Sequence, residues 1–285
     1  MDLRDYLIPH GIELTGVLAL SDCTLTRPYL LSRAGFDEQS FSSLSVQIFA
    51  IPYLSPAADE VGRNVSAYAV CEDYHLFVRE LADALIPALR ADFPGHRFAL
   101  FADHSPIGEI EAAVAAGLGV RGKNHLLLTE RYSSYVFLAE LVTDLALTPT
   151  PSPLPPELRV CHGCDRCIKA CPMTAEGGEC RSALTQKKSP LTARESDMLT
   201  RFSSVWGCDI CQEVCPYTSH ARARGTIFSP IPFFNRNTLA HVDAAVLDAM
   251  SDEQFSRRAY AWRGRDTKRR NVELHQDCGK ENDHA

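Results

Sequence analysis

One stretch limits what this chain can fold into more than any other. Between Cys161 and Pro216 lie eight of its eleven cysteines: Cys161, Cys164, Cys167, Cys171, Cys180, Cys208, Cys211 and Cys215. The first part reads C-x2-C-x2-C-x3-C-P, ending at Cys171-Pro172. Three thiolates two residues apart can wrap one face of an iron–sulfur cubane, and the fourth, carried away before a proline, ligates a second cubane. The run Cys208-Asp-Ile-Cys211-Gln-Glu-Val-Cys215-Pro216 repeats the tail of that pattern, and Cys180 supplies its missing first cysteine. The spacing therefore assigns Cys161, Cys164, Cys167 and Cys215 to one [4Fe–4S] cluster, and Cys171, Cys180, Cys208 and Cys211 to another. Structural zinc also uses C-x2-C pairs, but four ligands close a zinc site and neither the triple run nor the Cys-Pro ends are needed for it. A disulfide framework calls for a secretory context that nothing here supplies.

The remaining totals bound the setting. At 285 residues the chain makes one large domain or two smaller ones. No apolar run reaches eighteen residues, and the start Met1-Asp2-Leu3-Arg4-Asp5 lacks a hydrophobic signal core. These features predict a cytoplasmic protein without a membrane span, in a compartment that keeps thiols reduced. Cys23, Cys71 and Cys278 fall outside the pattern and read as plain thiols. The formal net charge of −7 argues against a uniformly basic nucleic-acid binder. Yet Arg257, Arg258, Arg263, Arg265, Lys268, Arg269 and Arg270 crowd one stretch, with Lys187, Lys188, Arg222 and Arg224 nearer the cysteines. A local basic face can hold phosphates, and a solvated helix face gives the same pattern.

Taken in order, the chain predicts a helix near Leu3–Ile8 and strands at 14–20 and 41–51. Leu76, Phe77, Leu81, Leu85 and Leu89 have helical spacing within 73–90, with Pro87 expected to bend or shorten the last turns. A strand at 97–102 delivers Asp103 at its end, a helix starts at Pro106, and Gly117 closes it. Residues 125–129 and 135–141 read as two sheet strands joined by a polar turn. Alternating strands and helices to residue 147 imply an α/β domain. The expected organisation is an α/β domain over 1–147, an extended proline-rich linker over 148–156, a ferredoxin-like double [4Fe–4S] domain over 157–225, and a short helical basic tail over 226–285.

Several stretches together resemble the epoxyqueuosine reductase family. They are Asp73-Tyr-His75, Ala102-Asp-His-Ser-Pro106, Ala116-Gly-Leu-Gly-Val-Arg-Gly-Lys-Asn124, Ser134-Tyr-Val-Phe-Leu-Ala-Glu-Leu-Val-Thr-Asp144, the cysteine block with Cys180-Arg-Ser-Ala-Leu-Thr185, and Ala261-Trp-Arg-Gly264 with Arg270-Asn-Val272. The resemblance runs in unbroken order over nearly the whole chain. It implies reduction of the epoxide of epoxyqueuosine to queuosine at the tRNA wobble position. Base-off cobalamin would sit in the N-terminal domain, fed with electrons by the two clusters. The family continues into helical repeats that help grip tRNA, and this chain is expected to lack them. Ser133-Ser134 stands where the family has Gly-Ser.

The resemblance places the family's catalytic aspartate on Asp103. Expelling an epoxide oxygen needs a proton, and a carboxylic acid supplies it if burial raises its pKa. The competing role for Asp103 is a plain helix cap. Family contacts to cobalamin fall on Ser66, Asp103, Leu127, Leu138, Ser182, Cys208 and Asp209, of which Leu127 and Leu138 also read as core residues. His75 reads as a hydrogen-bonded helix residue, and the Gly-rich turn ending at Lys123-Asn124 resembles an anion cradle. Trp262-Arg263, the neighbouring arginines and Lys187-Lys188 are the expected contacts to the tRNA anticodon stem-loop. A monomer served by an electron donor such as a flavodoxin or ferredoxin completes the expectation. Two other functions fit the cysteines alone: a two-cluster electron carrier, or a corrinoid iron–sulfur reductase of a small molecule.

Overall fold

The computed structural model describes residues 2–174 and 179–282, with side chains described as far as residue 276. The Cys278 side chain thus lies outside what is described. The chain forms two compact units, each assembled from three segments. One comprises Met1–Tyr53, Phe77–Asp165 and Pro216–Ile231, and the other Leu54–Leu76, Arg166–Cys215 and Pro232–Ala285.

The first unit is built on a four-stranded antiparallel sheet. Its helices and strands, in chain order, are α1 (Arg4–Leu7), β1 (Leu14–Ala19), α2 (Tyr29–Arg33), β2 (Ser45–Pro52), α3 (Tyr74–Asp92, in this unit from Phe77), β3 (Phe98–Phe101), α4 (Glu109–Ala115), β4 (Val120–Arg121), β5 (Leu127–Leu128) and β6 (Val136–Thr143). The sheet order is β1-β2-β6-β3. β2 is central and all eight of its residues are buried, which its nearly unbroken apolar run requires. Register pairs Ile48 with both Gly16 and Glu140. Leu18, Val46, Ile48, Ala50 and Val142 from the strands pack with Ile107, Ala112, Ala113, Ala116 and Leu118 from α4 and its flanks. α4 can lie this close because Gly16 has no side chain: a Cβ there would meet the Ala116 carbonyl oxygen at 2.7 Å.

Local differences from the sequence reading have physical causes. α3 continues past Pro87 to Asp92 rather than stopping there; Pro87, and Asp83 four residues earlier whose carbonyl loses its helical partner, are both exposed. The strand predicted over 41–51 starts at Ser45, since a 3-10 turn over Glu38–Ser43, capped by Asp37, occupies the residues before it. Residues 125–129 do not join the main sheet. Only Leu127–Leu128 is strand, paired with β4, and left-handed His125 (φ 62°) and Ser133 (φ 53°) break the run on both sides. The helix predicted from Pro106 begins at Glu109 behind Gly108. The proline-rich stretch is tied down rather than free: Val17 N–H donates to Thr150 Oγ1 at 2.7 Å, and Ser152 N–H to the Ala115 carbonyl at 2.6 Å.

Apart from one 18-residue helix at its end, the second unit is made of short helices and loops. It holds α5 (Arg166–Ala170), α6 (Arg181–Thr185), α7 (Ala193–Thr200), α8 (Ile210–Glu213), α10 (Ala244–Ala249), α11 (Asp252–Ser256) and α12 (Arg265–Asn282), while α9 (Pro216–Ala223) belongs to the first unit. α5 packs on α8, and α12 on α7 and α10. Arg181 is the strut of this unit. Its buried guanidinium donates to the carbonyls of Leu199 (2.9 Å), Phe202 (3.1 Å), Ser204 (2.7 Å) and Gly207 (3.3 Å). Asn271 adds bonds to the Thr185 and Val205 carbonyls at 2.7 and 3.0 Å. No helix among the described residues is long and apolar enough to cross a membrane.

Candidate functional site

In the first unit, Asp103 sits where β3 ends. Its φ is +61°, and His104 N–H donates back to the Ala102 carbonyl at 2.7 Å, so Asp103 is the centre of a tight γ-turn of the strained, positive-φ hand. The carboxyl is exposed. It does not cap α4, whose N-cap is Gly108. Glu109 Oε1 accepts the Asp103 N–H at 3.2 Å. The following residues are pinned: Thr26 N–H reaches the Pro106 carbonyl at 2.8 Å, and Gly108 N–H the Thr24 carbonyl at 2.9 Å. The turn thus offers a carboxyl to solvent on a short, fixed base.

The same unit carries Cys161 and Cys164. Residues 159–161 run beside β4, with Arg121 N–H donating to the Arg159 carbonyl (2.7 Å) and Cys161 N–H to the Arg121 carbonyl (2.9 Å). The Gly-rich turn expected to cradle an anion directs its Lys123 N–H at Cys161 Sγ, 3.2 Å away. An amide aimed at sulfur stabilises thiolate charge and tunes a cluster's potential. Lys123 Nζ meets Asp165 at 2.5 Å. Leu127 is buried in the core, and Leu138 is half-buried against that same core.

In the second unit, Cys167 lies on α5 and Cys171 just past it. Cys180 is the N-cap of α6, Cys211 is on α8, and Cys208 and Cys215 flank α8. None of the eight is in a disulfide. Burial pushes the Cys208 thiol up, against the Ile210 backbone and the Arg181 charge. Metal coordination is what would turn such a thiol into a thiolate. Gly207, just before it, has φ +70°, and a Cβ there would sit 2.4 Å from the Ser66 Cβ, so only glycine fits this turn.

The remaining expected residues of this unit meet around one carboxylate. Buried Asp209 accepts from the Ser66 hydroxyl, from Ala67 N–H (2.7 Å), from Arg63 (2.6 Å) and from Gln212 (3.2 Å). The side chains of Ser66 and Asp209 are thus spent on holding 63–67 against α8. Ser182 is half-buried on α6 and accepts from Gln186 at 3.3 Å. His75 is bonded to Asp73 at 2.7 Å, as its helical position suggested.

The basic stretch is largely committed within its unit. Arg257 forks onto Glu72, whose carboxyl it holds below the usual range, and Arg269 pairs with Asp248. Arg265 donates to the Leu247 carbonyl (2.6 Å) and Arg270 to the Lys187 carbonyl (2.7 Å). Trp262 is 58% exposed, with the Arg263 guanidinium stacked 3.8 Å from its ring centre.

Three residues escaped the sequence reading. Arg181 was signalled only by following Cys180, Gly207 by preceding Cys208, and Glu140 by being the lone charge inside the apolar strand 135–142.

Comparisons with known proteins agree with this layout. Residues 160–218 match the family model described as a 4Fe-4S double cluster binding domain. An epoxyqueuosine reductase from Listeria monocytogenes is 33% identical over 208 residues, covering 70% of this chain and 53% of that protein. The structure of epoxyqueuosine reductase from Streptococcus thermophilus superposes with a TM-score of 0.73 at 21% identity, covering 96% of this chain and 79% of that one. A crystal structure of epoxyqueuosine reductase with an epoxyqueuosine-modified tRNA-Tyr stem loop gives 0.71 at 24% identity, covering 96% and 79%. The chain spans about half to three-fifths of the length of the curated relatives it matches. It is a relative of the epoxyqueuosine reductases, carries a double cluster binding domain, and shares their fold over most of its length.

Proposed function

We propose that this chain reduces an epoxide to an alkene, with epoxyqueuosine in a tRNA anticodon stem-loop as the substrate. The observation that carries this reading is the 33% identity to an epoxyqueuosine reductase over 70% of the chain. The reaction takes two electrons and two protons: both C–O bonds break, the double bond forms, and the oxygen leaves as water. Electrons would enter from a donor such as a flavodoxin or ferredoxin. Cys161, Cys164, Cys167 and Cys215 would hold one [4Fe–4S] cluster, and Cys171, Cys180, Cys208 and Cys211 the other. Cysteines outside any disulfide and the Lys123 N–H aimed at Cys161 Sγ suit that load.

Bound base-off cobalamin would supply a strongly reducing centre able to break a C–O bond. By resemblance its contacts would fall on Leu127 and Leu138 of the first unit and on Ser66, Ser182, Cys208 and Asp209 of the second; Leu138 and Ser182 are half-buried, and Ser66 and Asp209 are bonded to each other. Asp103 gives the proton to the departing oxygen. The Trp262–Arg263 stack offers a face for an unpaired base, with Lys187 and Lys188 near phosphate, so affinity for the stem-loop should fall steeply with salt.

The test is oxygen-free purification, loading with iron, sulfide and cobalamin, and single turnover on an epoxyqueuosine-bearing stem-loop. Asp103→Asn is expected to bind both kinds of cofactor and lose turnover by about 10²-fold or more. Failure of the loaded wild type to take up cobalamin, or to convert the stem-loop, sinks the reading.

A further inference from the structure

A carboxyl in the middle of a buried strand is costly unless it is neutral and bonded. β6 places Glu140 opposite Ile48 of β2 and Phe101 of β3, and Phe101 is the last strand residue before the Asp103 turn. Glu140 is 0% exposed. Its Oε1 lies 2.5 Å from Ser105 Oγ, and its Oε2 meets no partner among the described residues. Burial pushes this carboxyl well above its usual range, and the charge of Glu109 pushes it further; the Ser105 hydroxyl opposes them.

The hydrogens around Ser105 can be counted. Its hydroxyl has one hydrogen and can accept two. Ile107 N–H donates to Oγ at 3.1 Å, and the Ile107 carbonyl lies 3.1 Å from the same Oγ. If Glu140 is ionised, that single hydrogen goes to the carboxylate, and the Ile107 carbonyl loses it while a buried charge stands half-bonded. If Glu140 is protonated, its O–H donates to Ser105 Oγ, the Ser105 hydrogen goes to the Ile107 carbonyl, and all three contacts are served at once.

We propose that Glu140 is a protonated carboxylic acid that positions the Asp103 turn from below, by donating to Ser105 Oγ. Glu140 does not touch the substrate; it fixes the residue on which the strained turn lands. The function it serves rests on the reading of Asp103 as the proton donor, whereas the latch itself does not.

The experiment uses the full, cofactor-loaded chain. Infrared spectra near neutral pH should show a protonated carboxylic acid band that disappears in Glu140→Gln. Glu140→Met fills the space without a donor, and should speed hydrogen exchange at the Ile107 amide and lower kcat about tenfold with KM unchanged. Glu140→Gln donates from its amide and should restore both to near wild type. Ser105→Ala should match Glu140→Met, and combining the two should add nothing. A carboxylate signal at neutral pH overturns the proposal, as do Ile107 exchange unmoved in both Glu140→Met and Ser105→Ala, or a Gln variant no better than the Met one. A wild type inactive on the stem-loop defeats the functional reading, and leaves the band and the exchange rates to decide the latch.

Discussion

The two units bury ionisable side chains to different extents. Among the described residues, the sheet unit fully buries one charged side-chain type, Glu140, and the structure gives reason to hold it neutral. The cysteine unit buries Glu72, Arg181, Asp209 and Lys268. The difference follows from the backbone. Antiparallel strands satisfy their own N–H and C=O groups through the ladder, so side chains can be apolar. Short helices and loops leave carbonyls without partners, and each must be met by something else. Arg181 meets four of them. Arg181 and Asp209 are therefore backbone supports in the second unit, whereas Glu72 is held by Arg257, and Lys268 lies over the Tyr260 ring, where burial lowers its pKa.

The comparison breaks first where metal is concerned. Stripping iron and sulfide by an anaerobic chelator should collapse the amide protection of 166–215 while β1, β2 and β6 stay protected; equal loss in both, read by hydrogen exchange, would show that the sheet unit depends on metal too. Next comes Arg181→Met, which keeps volume and removes every donor. It should cost the cysteine unit about 3–5 kcal/mol, measured by urea unfolding, whereas a cost below about 1 kcal/mol would mean that water replaces the guanidinium.

The third test sits in the sheet unit. The folded state keeps the Glu140 proton to higher pH than the unfolded chain does, so wild-type stability is fully present below the ordinary glutamate value of 4.5 and drains away as pH rises toward the raised folded value. Glu140→Gln does not titrate. Its stability relative to wild type should grow with pH by up to about 1.4 kcal/mol per unit, and a flat difference between pH 5 and pH 8 would refute the neutral carboxyl. The smallest effect is Ser251→Ala, which removes the capping box of α11, where the Ser251 hydroxyl accepts from Gln254 N–H at 3.1 Å. A loss of about 1 kcal/mol in thermal melts is expected.

The legible parts of the fold were those governed by one period. The burial of Phe77, Leu81, Leu85 and Leu89 on α3 follows four-residue spacing, and β2 and β6 follow their apolar runs. The cysteine spacing announced its chemistry directly. What stayed hidden depends on contacts between distant residues. β5 pairs with β4 rather than its chain neighbour β6 because left-handed residues intervene. The γ-turn at Asp103 is held by Thr24, Thr26 and Glu140, far away in sequence. The resemblance put Asp209 among the cofactor contacts, but its bonds to Arg63 and Ser66, more than 140 residues back, leave no local signal in the sequence.

The interleaving of the segments has a consequence for synthesis. The sheet unit is closed only by Pro216–Ile231, where Ser229 Oγ donates to the Pro52 carbonyl at 2.6 Å and Ser133 bonds Thr218 at 2.7 Å. By the time Ile231 leaves the ribosome, all eight clustered cysteines have already emerged. A chain loaded during synthesis would therefore offer all eight thiols before the last segment of its sheet unit has emerged, whereas a chain loaded after release would offer them on a completed sheet.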